Sequence, residues 1–138
     1  MVSRIKIGKP VSMSKHSKCG FTLIELLVVM AIIGTLLTIA VPRYFHSVER
    51  SKEAVLHQNL ALTRQVLDKY FSDNAKYPDS LEDLVNKKYL RNFPYDPITE
   101  STTTWLIIPP DVPEKGTVFD IKSGAPGKAL DGSDYKDW

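Results

Sequence analysis

Residues 18–34 read KCGFTLIELLVVMAIIG and open the longest apolar run in the chain. The run continues to Val41, so residues 21–41 number 21 with a single charge, Glu25. A helix of that length extends about 31 Å, close to the thickness of a bilayer core. A buried helix of a soluble domain is rarely apolar on every face for so long. The preceding segment has the opposite character. Residues 1–20 hold Arg4, Lys6, Lys9, Lys15 and Lys18 and no acid. That asymmetry predicts a cytoplasmic N-terminus and a C-terminal body on the far side of the membrane. After Gly20 thirteen bases face sixteen acids, so the remainder is net −3 although the whole chain is +2. The basic balance therefore belongs to the first 20 residues, and net charge gives no support to nucleic-acid binding.

The segment does not read as an ordinary cleaved secretory signal, whose apolar core precedes a small-residue cut site. This run ends TIAVPRY, with no A-x-A-like site. The small residue at a junction is Gly20, before the run. A cut there would remove the basic leader and keep the anchor. It would also place a new α-amine on Phe21, four residues from Glu25. A charge inside an apolar span costs about 2.5–3.5 kcal/mol at the centre and less near the end. One reading leaves Glu25 idle among the lipid headgroups. The other gives it the Phe21 amine as partner, which also relieves the amine's repulsion from the positive end of the helix dipole. If the amine belongs to a neighbouring subunit, only one axial offset pairs the two charges, and wrong stackings are penalised by desolvation.

Beyond the run the helical period continues. Pro42 removes a backbone donor and predicts a bend. Apolar residues Val55, Leu56, Leu60, Leu62, Val66, Leu67, Tyr70 and Phe71 fall three and four apart and predict one stripe. A single helix over about residues 22–72 follows, half membrane-embedded and half amphipathic, ended by SDNAKYP. Asp79 and Glu82 have capping-box spacing and predict a short helix over about residues 80–87. TTTWLIIPP (102–110) and TVFDIKS (117–123) read as two strands of one antiparallel sheet, joined by a turn at DVPEKG. The tail GAPGKALDGSDYKDW reads as irregular. The fold class is α+β, with domains at 1–20 (leader), 21–42 (membrane and assembly helix) and 43–138 (exported body). Cys19 is the only cysteine. It excludes an intramolecular disulfide; it is either incidental or, beside an apolar segment, a lipidation site.

GFTLIE at residues 20–25, the basic leader before it and the apolar anchor after it resemble the class III signal of type IV pilins and type II secretion pseudopilins. The resemblance implies cleavage by a membrane prepilin peptidase between Gly20 and Phe21, N-methylation of Phe21, and an assembly role for Glu25. It implies the type IV pilin-like fold, a long N-terminal helix on a small antiparallel sheet with an irregular C-terminal loop. YPDSLEDL at 77–84, YLRNFPYDP at 89–97, Trp105 opening a strand and the closing FDIKSGAPGKALDGSDYKDW look like the G-type major pseudopilin. That family implies a helical homopolymer joined by minor pseudopilins. It is built on an inner-membrane platform with a cytoplasmic ATPase in a Gram-negative cell, and it drives folded proteins across the outer membrane. It also implies Ca²⁺ in the last loop, held by carboxylates and carbonyls. Asp131 and Asp134 are the preferred side-chain ligands, with Asp120, Asp137, Ser123 and Ser133 nearby. Pro126 stands where many relatives carry an acid, and the acids also fit a solvated tail that caps its own backbone.

No catalytic constellation emerges. His16, His46 and His57 are the only histidines, and no phosphate loop or zinc spacing is present. Trp105 and Trp138 read as packing residues. The chain is expected to be no enzyme and to need no nucleic acid. Two alternatives stand beside the pseudopilus subunit: a type IV pilin or minor pilin for adhesion, motility or DNA uptake, and a singly anchored periplasmic enzyme with a look-alike N-terminus.

Overall fold

The computed structural model describes Gly8 and residues 20–138. The leader, apart from those two glycines, and Cys19 lie outside the described residues. The chain divides into two compact units with the boundary between Ile39 and Ala40.

Helix α1 runs from Leu23–Asn74, 52 residues, and its helical assignment continues through Pro42. These are the bounds expected, within two residues at each end. Every described residue from Gly20 to Ser47 is exposed. By length and composition α1 can cross a membrane. Its two threonines in the apolar half return their hydroxyls to the helix, Thr35 to the Ala31 carbonyl at 2.8 Å and Thr38 to the Gly34 carbonyl at 2.9 Å. Polar atoms that water would otherwise satisfy are thus paired within the segment.

In the second unit α1 buries Leu56, Leu60, Thr63, Leu67 and Tyr70, at spacings of four and three. This corrects the expected stripe. Val55 and Leu62 are exposed, while Thr63 enters the buried line because its hydroxyl is satisfied by the Asn59 carbonyl at 2.8 Å. A threonine so paired packs like valine. The core is completed by Leu84, Trp105, Val118, Ile121, Ala125, Ala129 and Tyr135.

Helix α2 spans Leu81–Asn86, and its N-cap is Ser80, not Asp79. The Ser80 hydroxyl accepts from the Asp83 N–H at 3.4 Å, and the Asp83 carboxylate reaches back to the Asp79 N–H at 3.1 Å. The expected box therefore shifts by one residue. Ser80 holds an extended backbone, the geometry that lets a side-chain oxygen face the first free N–H groups.

Strands β1 (Trp105–Ile108) and β2 (Asp120–Ser123) pair antiparallel, Trp105 opposite Ser123 and Ile108 opposite Asp120. Both are shorter than the composition suggested. The connection carries a 3₁₀ turn at Pro113–Lys115, and a second 3₁₀ turn at Tyr135–Asp137 lies in the tail expected to be irregular. Gly124, just past β2, is required by close approach. A Cβ there would collide with the Thr104 carbonyl oxygen. Arg64 fastens β2 to α1 through a 2.7 Å bond to Asp120 Oδ1 and a 3.1 Å bond to the Ile121 carbonyl.

Candidate functional site

Two places carry the residues that sequence reasoning singled out: the head of α1 and the C-terminal loop.

At the head of α1, Gly20 is exposed, and a Cβ added to it would meet nothing within 4 Å. Packing within the described chain does not require this glycine. Phe21 is 85% exposed. Glu25 sits in the first turn, where its N–H donates to Thr22 Oγ1 at 3.2 Å and its Oε2 accepts from the Thr22 N–H at 3.5 Å. Thr22 and Glu25 thus form a reciprocal capping box. The T-x-x-E spacing of a capping box is legible in the sequence at Thr22–Glu25. A carboxylate in the first turn also meets the positive end of the helix dipole favourably. The cap holds the Glu25 carboxylate at the Thr22 N–H, one residue from where a Phe21 amine would lie.

The C-terminal loop is organised by Glu53 of α1, a residue the apolar stripe did not single out. Its Oε1 accepts from the Leu130 N–H at 2.8 Å and from the Tyr135 hydroxyl at 2.9 Å. Burial, and then the Glu53 carboxylate, push the Tyr135 phenol up to about 12. Around this tie the loop closes on itself. The Ala129 N–H donates to the Ser133 carbonyl at 2.8 Å, and the Gly132 N–H to the Ala129 carbonyl at 2.9 Å. Trp138 donates its indole N–H to Ser133 Oγ at 2.7 Å and stacks on His57 of α1, with centroids 3.8 Å apart and planes at 18°. His57 is therefore a packing partner of the C-terminus, and His46 is exposed. Trp105 lies in the core with its indole N–H on the Pro94 carbonyl at 2.9 Å.

The loop holds both expected calcium ligands, but Asp131 is already engaged. Its Oδ1 accepts from the Ser133 N–H at 2.9 Å and hydroxyl at 2.6 Å. The hydroxyl first and the N–H second hold its carboxyl below the usual carboxylate range. Asp134 precedes the final 3₁₀ turn with an extended backbone and makes no side-chain cap. Asp120 is tied to Arg64. Among the described residues no group of three or more His, Cys, Asp or Glu side chains is placed to hold a metal ion. A cation here would draw on backbone carbonyls, the Asp131 oxygen that Ser133 leaves free and the uncapped Asp134 carboxylate.

Sequence reasoning also missed a buried carboxylate. Asp96 is fully buried. Its Oδ1 accepts from the Ile98 N–H at 2.8 Å and the Thr99 N–H at 3.3 Å, and its Oδ2 from the Ser123 hydroxyl at 2.6 Å. It pins the loop before β1 to the end of β2. No local sequence pattern announces a carboxylate that serves two segments.

The family described as the prokaryotic N-terminal methylation motif matches residues 15–41. The chain is 33% identical over 101 residues to the type II secretion system core protein G of Pseudomonas aeruginosa, covering 62% of this chain and 71% of that protein. It is 28% identical over 133 residues to the protein of the same name from Xanthomonas campestris, covering 91% and 93%. It is also 42% identical over 60 residues to the type IV major pilin protein PilA of Myxococcus xanthus, covering 44% of this chain and 27% of the pilin. No solved structure matches the chain.

Proposed function

The chain belongs to the type II secretion core protein G family, and on that premise we propose that it is a structural subunit of the secretion pseudopilus. Polymerisation through α1 would drive folded proteins across the outer membrane. The observation that carries the reading is a methylation motif on residues 15–41 leading into a helix exposed throughout its apolar half. Such a helix needs lipid before assembly and like helices after it. The pilin alternative is less favoured, since that likeness covers only 44% of the chain, whereas likeness to core protein G extends to 91%. Membership in a filament-subunit family also disfavours the anchored-enzyme reading.

In this reading residues 1–20 are a cytoplasmic leader, residues 21–42 the anchor in the inner membrane, and residues 43–138 the periplasmic body. Prepilin peptidase cuts after Gly20 and methylates Phe21. Minor pseudopilins and the inner-membrane platform are the assembly partners. Glu25 belongs to the helix cap in the isolated chain and pairs with the Phe21 amine of a neighbour in the filament. Exchanging the Thr22 N–H for a protonated amine replaces a bond charged only at its acceptor by an ion pair charged on both sides. The test is Glu25→Ala. The variant should insert and be cleaved like the wild type but yield no sheared or pelleted filaments. Normal filament yield removes the role given to Glu25.

A further inference from the structure

Two apolar surfaces of the second unit have no cover among the described residues. The first is a stripe on α1 just past the membrane half: Val41, Tyr44, Phe45 and Val48. Tyr44 is 66% and Phe45 61% exposed, and their rings meet edge to face with centroids 5.8 Å apart. The spacing is i, i+3, i+4, i+7, one narrow helical face. The second is a groove of about 570 Å³ between the start of α2 and β1, floored by Leu81, Phe93, Trp105, Ile107 and Val118. Phe93 and Ile107 remain substantially exposed there.

We propose that the groove of one subunit receives the Tyr44–Phe45 face of a second copy of this chain. The inference rests on the filament reading and names one contact within it. Charge supports the choice of occupant. The groove is flanked by Glu82, which is exposed, and by Asp79, which Lys76 already pairs at 3.7 Å, so Glu82 supplies the open negative charge. The stripe is flanked by Arg43, and no acid occurs between Glu25 and Glu49. Amphipathic helices dock into apolar grooves through such i, i+3, i+4, i+7 anchors. Geometry supports it as well. Groove and stripe are different surfaces, so the contact is heterologous, and a heterologous contact that does not close propagates an open helical filament. Two aromatic side chains bury roughly 150–250 Å² each, well below the ~800 Å² per partner of a stable interface. The contact is therefore too small to dimerise free subunits and operates only beside helix–helix packing. A lipid-facing segment would be apolar all round, whereas Arg43, His46 and Ser47 share the turn with this stripe.

The experiment places the photoreactive analogue p-benzoylphenylalanine at Phe45 of the full chain, in native membranes with the secretion system present. Filament yield is measured in the same cells, and cross-linked peptides are mapped by mass spectrometry. The expected product joins residue 45 to a peptide within residues 79–82, 93 or 102–107 of another copy. Arg43→Glu and Glu82→Arg should each lower its yield about threefold, as for loss of a partly exposed ion pair, and the double variant should restore it. Filaments that form with cross-links elsewhere overturn the contact and leave the filament reading standing. Cross-links to lipid assign Tyr44 and Phe45 to the membrane interface and overturn the contact too. Absence of any filament or cross-linked multimer overturns both.

Discussion

Replacing Glu53 by alanine should loosen the C-terminal loop by a calculable amount. The substitution leaves helix propensity nearly unchanged, within a few tenths of a kcal/mol, so any larger loss comes from the loop. Two donors lose their acceptor. The Leu130 N–H belongs to an exposed residue and recovers water at small cost. The Tyr135 hydroxyl belongs to a residue only 9% exposed and recovers little. A hydrogen bond to a charged group contributes about 1.5–3 kcal/mol, and an orphaned buried donor costs about 1–3. The expected total is about 2–3 kcal/mol, a fall in melting midpoint of about 10–20 °C for a body of this size. Glu53→Gln keeps an acceptor oxygen and should lose only about 1 kcal/mol, the charge assistance. The assay is thermal unfolding of the detergent-solubilised chain, with limited proteolysis reporting on residues 127–138. The pH dependence has a fixed sign. Tyr135 holds its proton up to about 12 in the folded chain but to about 10 when unfolded. Between those values the folded state binds more protons, so this group's contribution is full below pH 10 and is lost as pH rises through the window. In Glu53→Gln the phenol should titrate lower than in the wild type yet remain raised, because burial is the larger cause. A midpoint for Glu53→Ala within a degree of the wild type refutes the tie.

Asp96→Ala should be at least as damaging, about 3 kcal/mol or more, because the fully buried Ser123 hydroxyl and two loop N–H groups lose their acceptor together; denaturant midpoints at constant m-value measure it. The calcium site that the family resemblance implies, on Asp131 and Asp134, should show itself as a rise in melting midpoint at millimolar Ca²⁺ by mass action, abolished in the paired Asn variants. An unchanged midpoint retires both residues as ligands.

What the sequence disclosed follows physical range. The α1 helix was legible because a uniform apolar run followed by a three–four period is a local signal over some fifty residues. The strand pair was legible as composition, though its ends were not, since prolines bound a strand only from outside. Thr63 was missed because hydropathy ranks threonine by its hydroxyl, whereas an intrahelical bond to Asn59 hides it. The Glu53–Tyr135 tie spans 82 residues, and the Asp96–Ser123 bond spans 27. No spacing rule reaches that far, so a glutamate that organises a loop looks like any other on a solvated helix face. At the head of α1 the opposite happened. Thr22 and Glu25 are local, and their capping box was readable, yet the membrane context drew the reading to the charge. The internal ties of the last loop, Glu53 to Leu130 and Tyr135 and Asp131 to Ser133, could not be read from its acids and glycines alone.

Assembly through α1 turns on what happens at Gly20. The most direct measurement is the intact mass and N-terminal sequence of the protein taken from its native membrane. The account predicts a chain beginning at Phe21 with a methylated amine, retaining the anchor and supplying the partner assigned to Glu25. A chain beginning at Met1, in a cell with active prepilin peptidase, would contradict it: residues 1–20 would stay, Glu25 would keep only its cap with Thr22, and assembly through a freed N-terminus would have no basis.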